Sequence, residues 1–470
     1  MTVKIVATIG PRSRDAEMIR RLRDAGMSVA RLNGSHSDLV WHEETIETLR
    51  ATVPDVPILF DIPGKKIRTT QLRHEPSFSA GDDLVLTTDL AHDGTLKVPV
   101  NRADLHEYLS EGDVFFADDG TLRFTVLAVN GRDIICRADS DGVLRSAKGI
   151  NVPSVRFPHR ALTERDERML DFACQLELEY VGLSFVDTAA LVYDVRERIG
   201  TRPTRVLAKV ENLAALENLE EVVESADAIM IDRGDLSVET SIEHVAVFQK
   251  RILKTATRLG RPVIVATEML HSMIQHPFPT KAEVTDISNA VLDGAAALML
   301  SGETAVGRFP VEAVRTMRRV ADAVCASDTN VGALAGTSSV PVAVGEAIAM
   351  LCERLPITKI VAVTASGYAA RAIAAFRPKQ PILAVSNNAA VARSANLLYG
   401  TEGFVVEIPF PRDTTDHVIE CVHALRSAGR LVDDDLILVT SVGFPREGNL
   451  MNMVQMHRVA DLGVALGWGS

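Results

Sequence analysis

Short apolar runs recur along the chain at residues 4–10, 29–35, 57–63, 180–186, 205–211, 228–232, 262–269 and 297–303. They are rich in Val, Ile, Leu and Ala, lack a helical period, and read as buried strands. Between them, residues 16–25, 39–52, 162–176, 189–199, 239–259 and 281–293 place apolar side chains at three- and four-residue spacing, the helical pattern. Eight such strands, most followed by a helix, is the count for a closed (β/α)₈ barrel. An open doubly wound sheet is the rival arrangement. Most of these strands end in polar residues, and in a barrel such ends form one mouth, where active sites sit.

One connection breaks the rhythm. Nearly a hundred residues separate the third strand from the helix at 162–176. Within them lie strand-like runs at 83–87, 114–117, 123–128 and 134–137, punctuated by GDD, DDG and NGR turns. A structureless loop of that length would be out of character, so a small all-β domain inserted at the mouth as a lid is expected. A second boundary falls at 330–339, NVGALAGTSS, small and polar enough for a linker. Beyond it a helix at 346–355 leads into strands at 359–364, 381–386, 404–408 and 436–440. These alternate with helices at 368–376 and 414–427, the pattern of a separate open α/β domain. The expected division is residues 1–67 with 158–329 for the barrel, 68–157 for the lid and 340–470 for the C-terminal domain.

A 470-residue chain suits about three domains, in agreement with that division. A net charge of −12 argues against a general nucleic-acid or acidic-membrane binder, so an anionic ligand would need a locally basic pocket. Five scattered cysteines without a CxxC pair argue against a disulfide framework or structural zinc. The first residues, MTVKIVATIG, enter a strand at once, and no apolar run reaches membrane-spanning length. A cytoplasmic, soluble protein is expected.

Candidate chemistry concentrates in residues 206–236. VLAKVEN ends a strand with Lys209 and Glu211 two apart, hence on one face. A helix-like segment, NLAALENLEEVVESAD, leads to AIMIDRGDL, whose turn carries Asp235. If the two strands are parallel neighbours, their ends lie about 5 Å apart. A lysine then stands beside two carboxylates able to share a divalent cation, an arrangement suited to an anionic phosphorylated substrate. A plain strand-end salt bridge would use the same residues. At the ends of the first three strands stand Arg31, Asn33, Ser35, His36, Asp61, Lys65, Lys66 and Arg68. The basic members suit phosphate and the hard oxygens of Asn33, Ser35 and Asp61 suit a cation.

The motifs KIVATIGP, DAGMSVARLNGSH, KGINVP, LTERD, VLAKVEN, RGDLSVE, PVIVATEML, NAVLDGA and LMLSGETAVGRFPVEAV occur in this order over nearly the whole chain. Together they resemble the pyruvate kinases. The resemblance implies a (β/α)₈ barrel with an inserted β-barrel lid and a C-terminal α/β domain. It also implies transfer of the phosphoryl group of phosphoenolpyruvate to ADP, giving pyruvate and ATP. By motif position, Glu211 and Asp235 would hold Mg²⁺ or Mn²⁺. Lys209 would neutralise the phosphoryl group in flight and Arg31 would grip it from another side. Backbone N–H groups of Arg233, Gly234 and Asp235 would bind the substrate carboxylate. Thr267, relaying from water, would help protonate the enolate with Ser301 behind it. Asn33, His36, Arg68 and Lys148 match positions that meet the nucleotide or its metal. Thr364, Ser366 and Gly367, between a strand and a helix, could bind a phosphorylated effector, or form a plain turn and cap. Homotetramers are common in the family.

Several residues depart from that pattern. The family often reads DTKGPEIR where this chain has Asp61 through Arg68 as DIPGKKIR, so Lys66 replaces a glutamate and Ile62 and Pro63 change the same loop. In potassium-dependent members that glutamate lies near a monovalent-cation site matching Asn33, Ser35 and Asp61. The Lys66 ammonium could supply that charge, and K⁺-independent activity is expected; a solvated loop charge is the simpler alternative. Asp232 replaces a usual alanine, pairing with an arginine or altering metal affinity. Glu268 replaces a glutamine, His271 and Phe278 alter runs that make subunit contacts, and Gly34 and Ser37 change a loop. Two other readings fit the barrel: an Mg²⁺-dependent oxo-acid aldolase or lyase, and a non-catalytic metabolite sensor. The lid and Lys209 oppose the first; the intact Lys209, Glu211, Asp235 and Thr267 set opposes the second.

Overall fold

A computed structural model describes residues 3–118, 120–153, 155, 162–327, 339–411, 414–442 and 451–468. Eight parallel strands close into a barrel: β1 (Lys4–Thr8), β2 (Val29–Asn33), β3 (Ile58–Ile62), β4 (Tyr180–Leu183), β5 (Arg205–Val210), β6 (Ala228–Asp232), β7 (Val263–Ala266) and β8 (Ala297–Leu300), with β8 returning to β1. Alternation along each strand sorts the side chains. Val6, Val29, Leu59, Leu207, Met230 and Ile264 fill the interior, while Ile5, Phe60, Val206 and Ile231 face the surrounding helices. The open-sheet alternative is thereby excluded.

Helix boundaries follow local chemistry. Asp15 and Asp38 cap Ala16–Ala25 and Leu39–Thr52, and capping boxes start Glu164–Gln175 and Lys281–Leu292. Two expected helices are divided. Residues 212–227 form Leu213–Glu217 and Leu219–Ser225, broken at Asn218, whose amide donates to the Asp187 carbonyl at 3.1 Å. Residues 239–259 form a 3₁₀ turn, Ile242–His244, and the helix Val245–Arg258. A further helix, Arg233–Glu239, starts directly from β6 and carries Asp235.

The insertion after β3 is a seven-stranded sheet running Ile67–Arg68, Gly149–Asn151, Val114–Ala117, Leu122–Asn130, Asp133–Ala138, Asp83–Thr87, Val98–Pro99. A bridge between Thr69 and Val100 joins its two edges, closing it around Phe115, Phe124, Ile134 and Leu105. The expected barrel–lid boundary at 157/158 lies outside the described residues, as does the expected linker apart from Ser339.

The C-terminal sheet runs Thr401–Val405, Ile382–Ser386, Lys359–Val363, Leu436–Ser441, Met453–Arg458, the last strand antiparallel. The strand expected at 404–408 begins instead at Thr401. Its polar start and Gly403, where a Cβ would lie 1.8 Å from the Ala392 carbonyl oxygen, conceal it from hydropathy. The largely exposed edge strand Met453–Arg458 and the helix Val459–Leu466 were not expected. This domain closes the N-terminal end of the barrel. Leu397 joins the interior cluster, Tyr180 donates to the Ser394 carbonyl at 2.8 Å, and Lys4 donates to the Thr401 carbonyl. Glu179, fully buried, accepts from Arg50 of the barrel and Arg393 of the C-terminal domain. The opposite end is left to the lid.

Candidate active site

The parallel pairing of β5 and β6 delivers the juxtaposition expected from sequence. Lys209 is buried at the mouth with its Nζ 2.9 Å from Glu211 Oε2, 3.1 Å from Asp232 Oδ2 and 3.2 Å from Ser184 Oγ. Burial works against its charge, yet Glu211, Asp232 and Asp61 hold its pKa above the usual lysine value. Burial drives the Glu211 carboxyl upward, with Asp235 and Asp232 adding to the shift against Lys209. Asp232, also buried, is drawn down by Lys209 against its own desolvation. Asp232 therefore pairs with this lysine rather than with an arginine.

Glu211, Asp232 and Asp235 each bring a carboxylate oxygen within 4.8 Å of the others. Glu211 Oε1 accepts from the Phe185 N–H at 2.6 Å, and its buried Oε2 faces the Lys209 ammonium. Three clustered hard oxygens fit a divalent cation such as Mg²⁺. Lys66 meets the same cluster: its Nζ lies 2.5 Å from Asp235 Oδ1, with the side chain only 10% exposed. It is not a solvated loop charge. Asn151 of the lid reaches Asp235 Oδ1 at 3.5 Å and Glu239 Oε1 at 2.7 Å. Burial raises Glu239 to about 7.

Across the mouth, Arg31 on β2 gives Nε to Asp61 Oδ2 at 2.7 Å and Nη1 to Thr8 Oγ1 at 3.0 Å. Asp61 Oδ1 is buried and accepts nothing. Asn33 Oδ1 caps the Ser35 N–H at 3.1 Å, and Arg68 Nη2 approaches Ser35 Oγ at 3.5 Å. Ile62 is buried at the end of β3. After β7 the backbone turns left-handed at Thr267 (φ 68°) and Glu268 (φ 55°). For a β-branched residue this is a strained conformation. It is held by Arg233, whose Nη2 donates to the Thr267 carbonyl at 2.7 Å while Nη1 pairs with Asp286. Thr267 Oγ1 donates to the Ala266 carbonyl and accepts from the Gly234 N–H at 2.9 Å. One N–H of the expected carboxylate-binding turn is therefore engaged by Thr267. Ser301 Oγ is buried without a partner, and Glu303 Oε2 accepts from the Ser301 N–H at 2.7 Å.

Other expected residues stand apart from this cluster. His36 is exposed, and Lys148 pairs within the lid with Asp118 at 2.6 Å. Thr364, Ser366 and Gly367 lie against the closed end of the barrel. Thr364 Oγ1 accepts from the Gly367 N–H, and Arg205 donates to the Ser366 carbonyl at 2.7 Å. Glu268 is exposed. Sequence reasoning missed Thr8, Ser184, Asn151, Glu239 and Glu303. Ser184 carried a signal, a polar residue closing an apolar strand; the others became visible only through tertiary contact.

The family model for the pyruvate kinase barrel domain matches residues 1–314, and that for the pyruvate kinase alpha/beta domain matches residues 342–457. The chain belongs to the pyruvate kinase family. It is 37% identical to the pyruvate kinase of Mycobacterium intracellulare, over 97% of this chain and 98% of that protein. To pyruvate kinase 2 of Synechocystis it is 35% identical, over 99% and 81%. To the pyruvate kinase of Thermococcus litoralis it is 36% identical, over 93% and 94%. Membership makes this chain a phosphotransferase that carries out the pyruvate kinase reaction. The aldolase and sensor alternatives fall away. Among the described residues no helix is long and apolar enough to cross a membrane.

Proposed function

We propose that the carboxylate cluster and the two basic groups facing it transfer the phosphoryl group of phosphoenolpyruvate to ADP, with Glu211 and Asp235 holding Mg²⁺ or Mn²⁺. The carrying observation is Lys209, a buried ammonium held at 2.9 and 3.1 Å between Glu211 and Asp232. A bound divalent cation would supply charge neutralisation and substrate orientation. Lys209, kept protonated by its carboxylates, neutralises charge on the phosphoryl group as its bond to the enolate oxygen breaks. Arg31, fixed by Asp61 and Thr8, presents a second positive charge to the same group, and such preorganised charges supply most of the catalysis in phosphoryl transfer. The enolate left behind takes a proton at carbon to give pyruvate. Thr267 passes that proton from water, with the unpartnered Ser301 hydroxyl behind it. Backbone N–H groups at the start of Arg233–Glu239 favour the substrate carboxylate.

Asn33, His36, Arg68 and Lys148 would receive the nucleotide, Lys148 arriving with the lid. The working units are residues 1–67 with 158–329, 68–157, and 340–470, assembled as a homotetramer. The loop with Thr364, Ser366 and Gly367 remains the proposed seat of a phosphorylated effector. Lys66, a positive charge tethered in the mouth, would make K⁺ dispensable. The opposite outcome also has an observation behind it, because Asp61 Oδ1 is a buried oxygen without a donor.

The test is an assay of purified protein with phosphoenolpyruvate, ADP and Mg²⁺, with K⁺ or with tetramethylammonium, beside Lys209→Met. ATP formation lost in Lys209→Met by roughly 100-fold or more supports the assignment, the scale of removing one transition-state charge contact. Undiminished turnover in that variant would sink it. Strict dependence on K⁺ would overturn the role given to Lys66.

A further inference from the structure

The positive charge that meets the metal-binding carboxylates from the lid side is Lys66. Its Nζ lies 2.5 Å from Asp235 Oδ1, and its position is set by more than that contact. On the lid strand Gly149–Asn151, a Cβ at Gly149 would come 2.4 Å from Lys66 Cε and 3.1 Å from Nζ, so the strand backbone passes close over the end of the side chain. The Phe185 ring lies 5.7 Å from the ammonium, within cation–π range. Two residues on from Gly149, Asn151 reaches Asp235 and Glu239, so the same strand touches both the lysine and its carboxylate.

The charges then count simply. When all are ionised, as metal ligands must be, Glu211, Asp232 and Asp235 offer three negative charges and Lys209 cancels one, leaving the two that a divalent cation neutralises. With Lys66 on Asp235, one of those two is already matched. An ammonium and a divalent cation on one carboxylate repel each other in a site screened from water. We propose that Lys66 is a tethered competitor of the divalent cation at Asp235, which fills part of the metal's role in the substrate-free enzyme and must be displaced for the metal to load. Metal affinity is thereby low in the free enzyme and rises when an anionic substrate enters and offsets the extra positive charge. This inference rests on Glu211 and Asp235 being the metal ligands.

The test titrates Mn²⁺ alone into the full-length protein, without substrates, and follows free Mn²⁺ by its electron paramagnetic resonance signal. Wild type is compared with Lys66→Met, with Lys66→Gln, which retains a hydrogen-bond donor without the charge, and with Lys148→Met. The last removes an equal charge from the lid, but from a side chain paired with Asp118. Both Lys66 variants should bind Mn²⁺ at least about fivefold more tightly than wild type, the lower end of ordinary site-to-site coupling. Lys148→Met should change little, and adding Asp235→Asn to Lys66→Met should abolish the gain. Equal or weaker binding in both Lys66 variants, or the same gain in Lys148→Met, overturns the competition while leaving the metal site intact. No Mn²⁺ binding by any folded variant overturns the assignment of Glu211 and Asp235, and the competition with it.

Discussion

Gly182 has no functional group, yet adding one methyl there should damage catalysis. It lies on β4, directly opposite Asp61 in the parallel register with β3. A Cβ at this position would sit 2.1 Å from Asp61 Oδ1 and 3.1 Å from its Cγ, but 3.5 Å from its Cα, so the side chain rather than the backbone must give way. Asp61 is 2% exposed and its other oxygen holds Arg31 Nε at 2.7 Å. Gly182→Ala should therefore cost about 1–3 kcal/mol of stability by overpacking. It should also lower kcat by roughly 100-fold, because a displacement of about 1 Å in a positioning contact is enough. Urea unfolding and steady-state turnover are measured for Gly182→Ala, Asp61→Ala and the double variant. Asp61→Ala alone removes one partner of a buried pair and should cost about 3–5 kcal/mol. In that background the methyl has nothing to strike, so Gly182→Ala should add less than about 0.5 kcal/mol. If the two costs simply add, the clash with the carboxylate is not the cause and the reasoning fails.

Two further predictions concern carboxylates away from the reacting atoms. Glu179→Ala strips the buried partner from Arg50 and Arg393 and should cost about 3–5 kcal/mol, read as a lower urea midpoint; a loss below about 1 kcal/mol would show that the clasp between barrel and C-terminal domain is idle. Glu239 titrates near 7 in the folded chain against an ordinary 4.5, so the folded state holds an extra proton between those values. Stability of the metal-free protein should fall as pH rises from about 4.5 to 7 and level off above, and Glu239→Gln should flatten that slope. An unchanged slope in the variant would mean that Glu239 titrates normally.

Much of the barrel was legible because it rests on local pattern. Buried strands of a parallel barrel are continuous apolar runs, and β1 to β8 all announced themselves this way. The Lys209–Glu211 spacing fixed a common face before any tertiary contact was known, and parallel pairing then supplied Asp232 and Asp235. Elements failed to show where a residue's neighbour, rather than its own side chain, decides the structure. The strand Thr401–Val405 has a glycine pressed against another backbone, and Met453–Arg458 is an edge strand with little to bury. Likewise Asn151 and Glu239 lie 88 positions apart and gain meaning only when the lid folds over the helix after β6. The destination of Lys66 was the largest gap. Its residue type foretold a positive charge near the mouth, but only the folded neighbourhood of Gly149, Phe185 and Asp235 shows where that charge goes.

Buried polar atoms left without hydrogen bonds lie at both ends of the barrel. At the mouth they include the acceptor oxygens Asp61 Oδ1 and Asn151 Oδ1. At the closed end they include arginine nitrogens, Arg50 Nη1 and Arg261 Nε. A buried lone pair without a donor is costly unless something positive completes it, and a buried N–H without an acceptor is costly in the opposite sense. An unliganded mouth that ended in donors would suit an anion by itself. This one sets Lys209, Lys66 and Arg31 against its buried carboxylates, so positive charge stands between those carboxylates and an anionic substrate. Lys209 and Lys66 are two such cations built into the chain, and each engages a carboxylate of the same cluster. Removing either charge should therefore shift the balance toward ions from solution, with opposite consequences. On the proposed roles, loss of Lys209 should remove a contact to the phosphoryl group and lower turnover, whereas loss of Lys66 should tighten binding of a divalent cation.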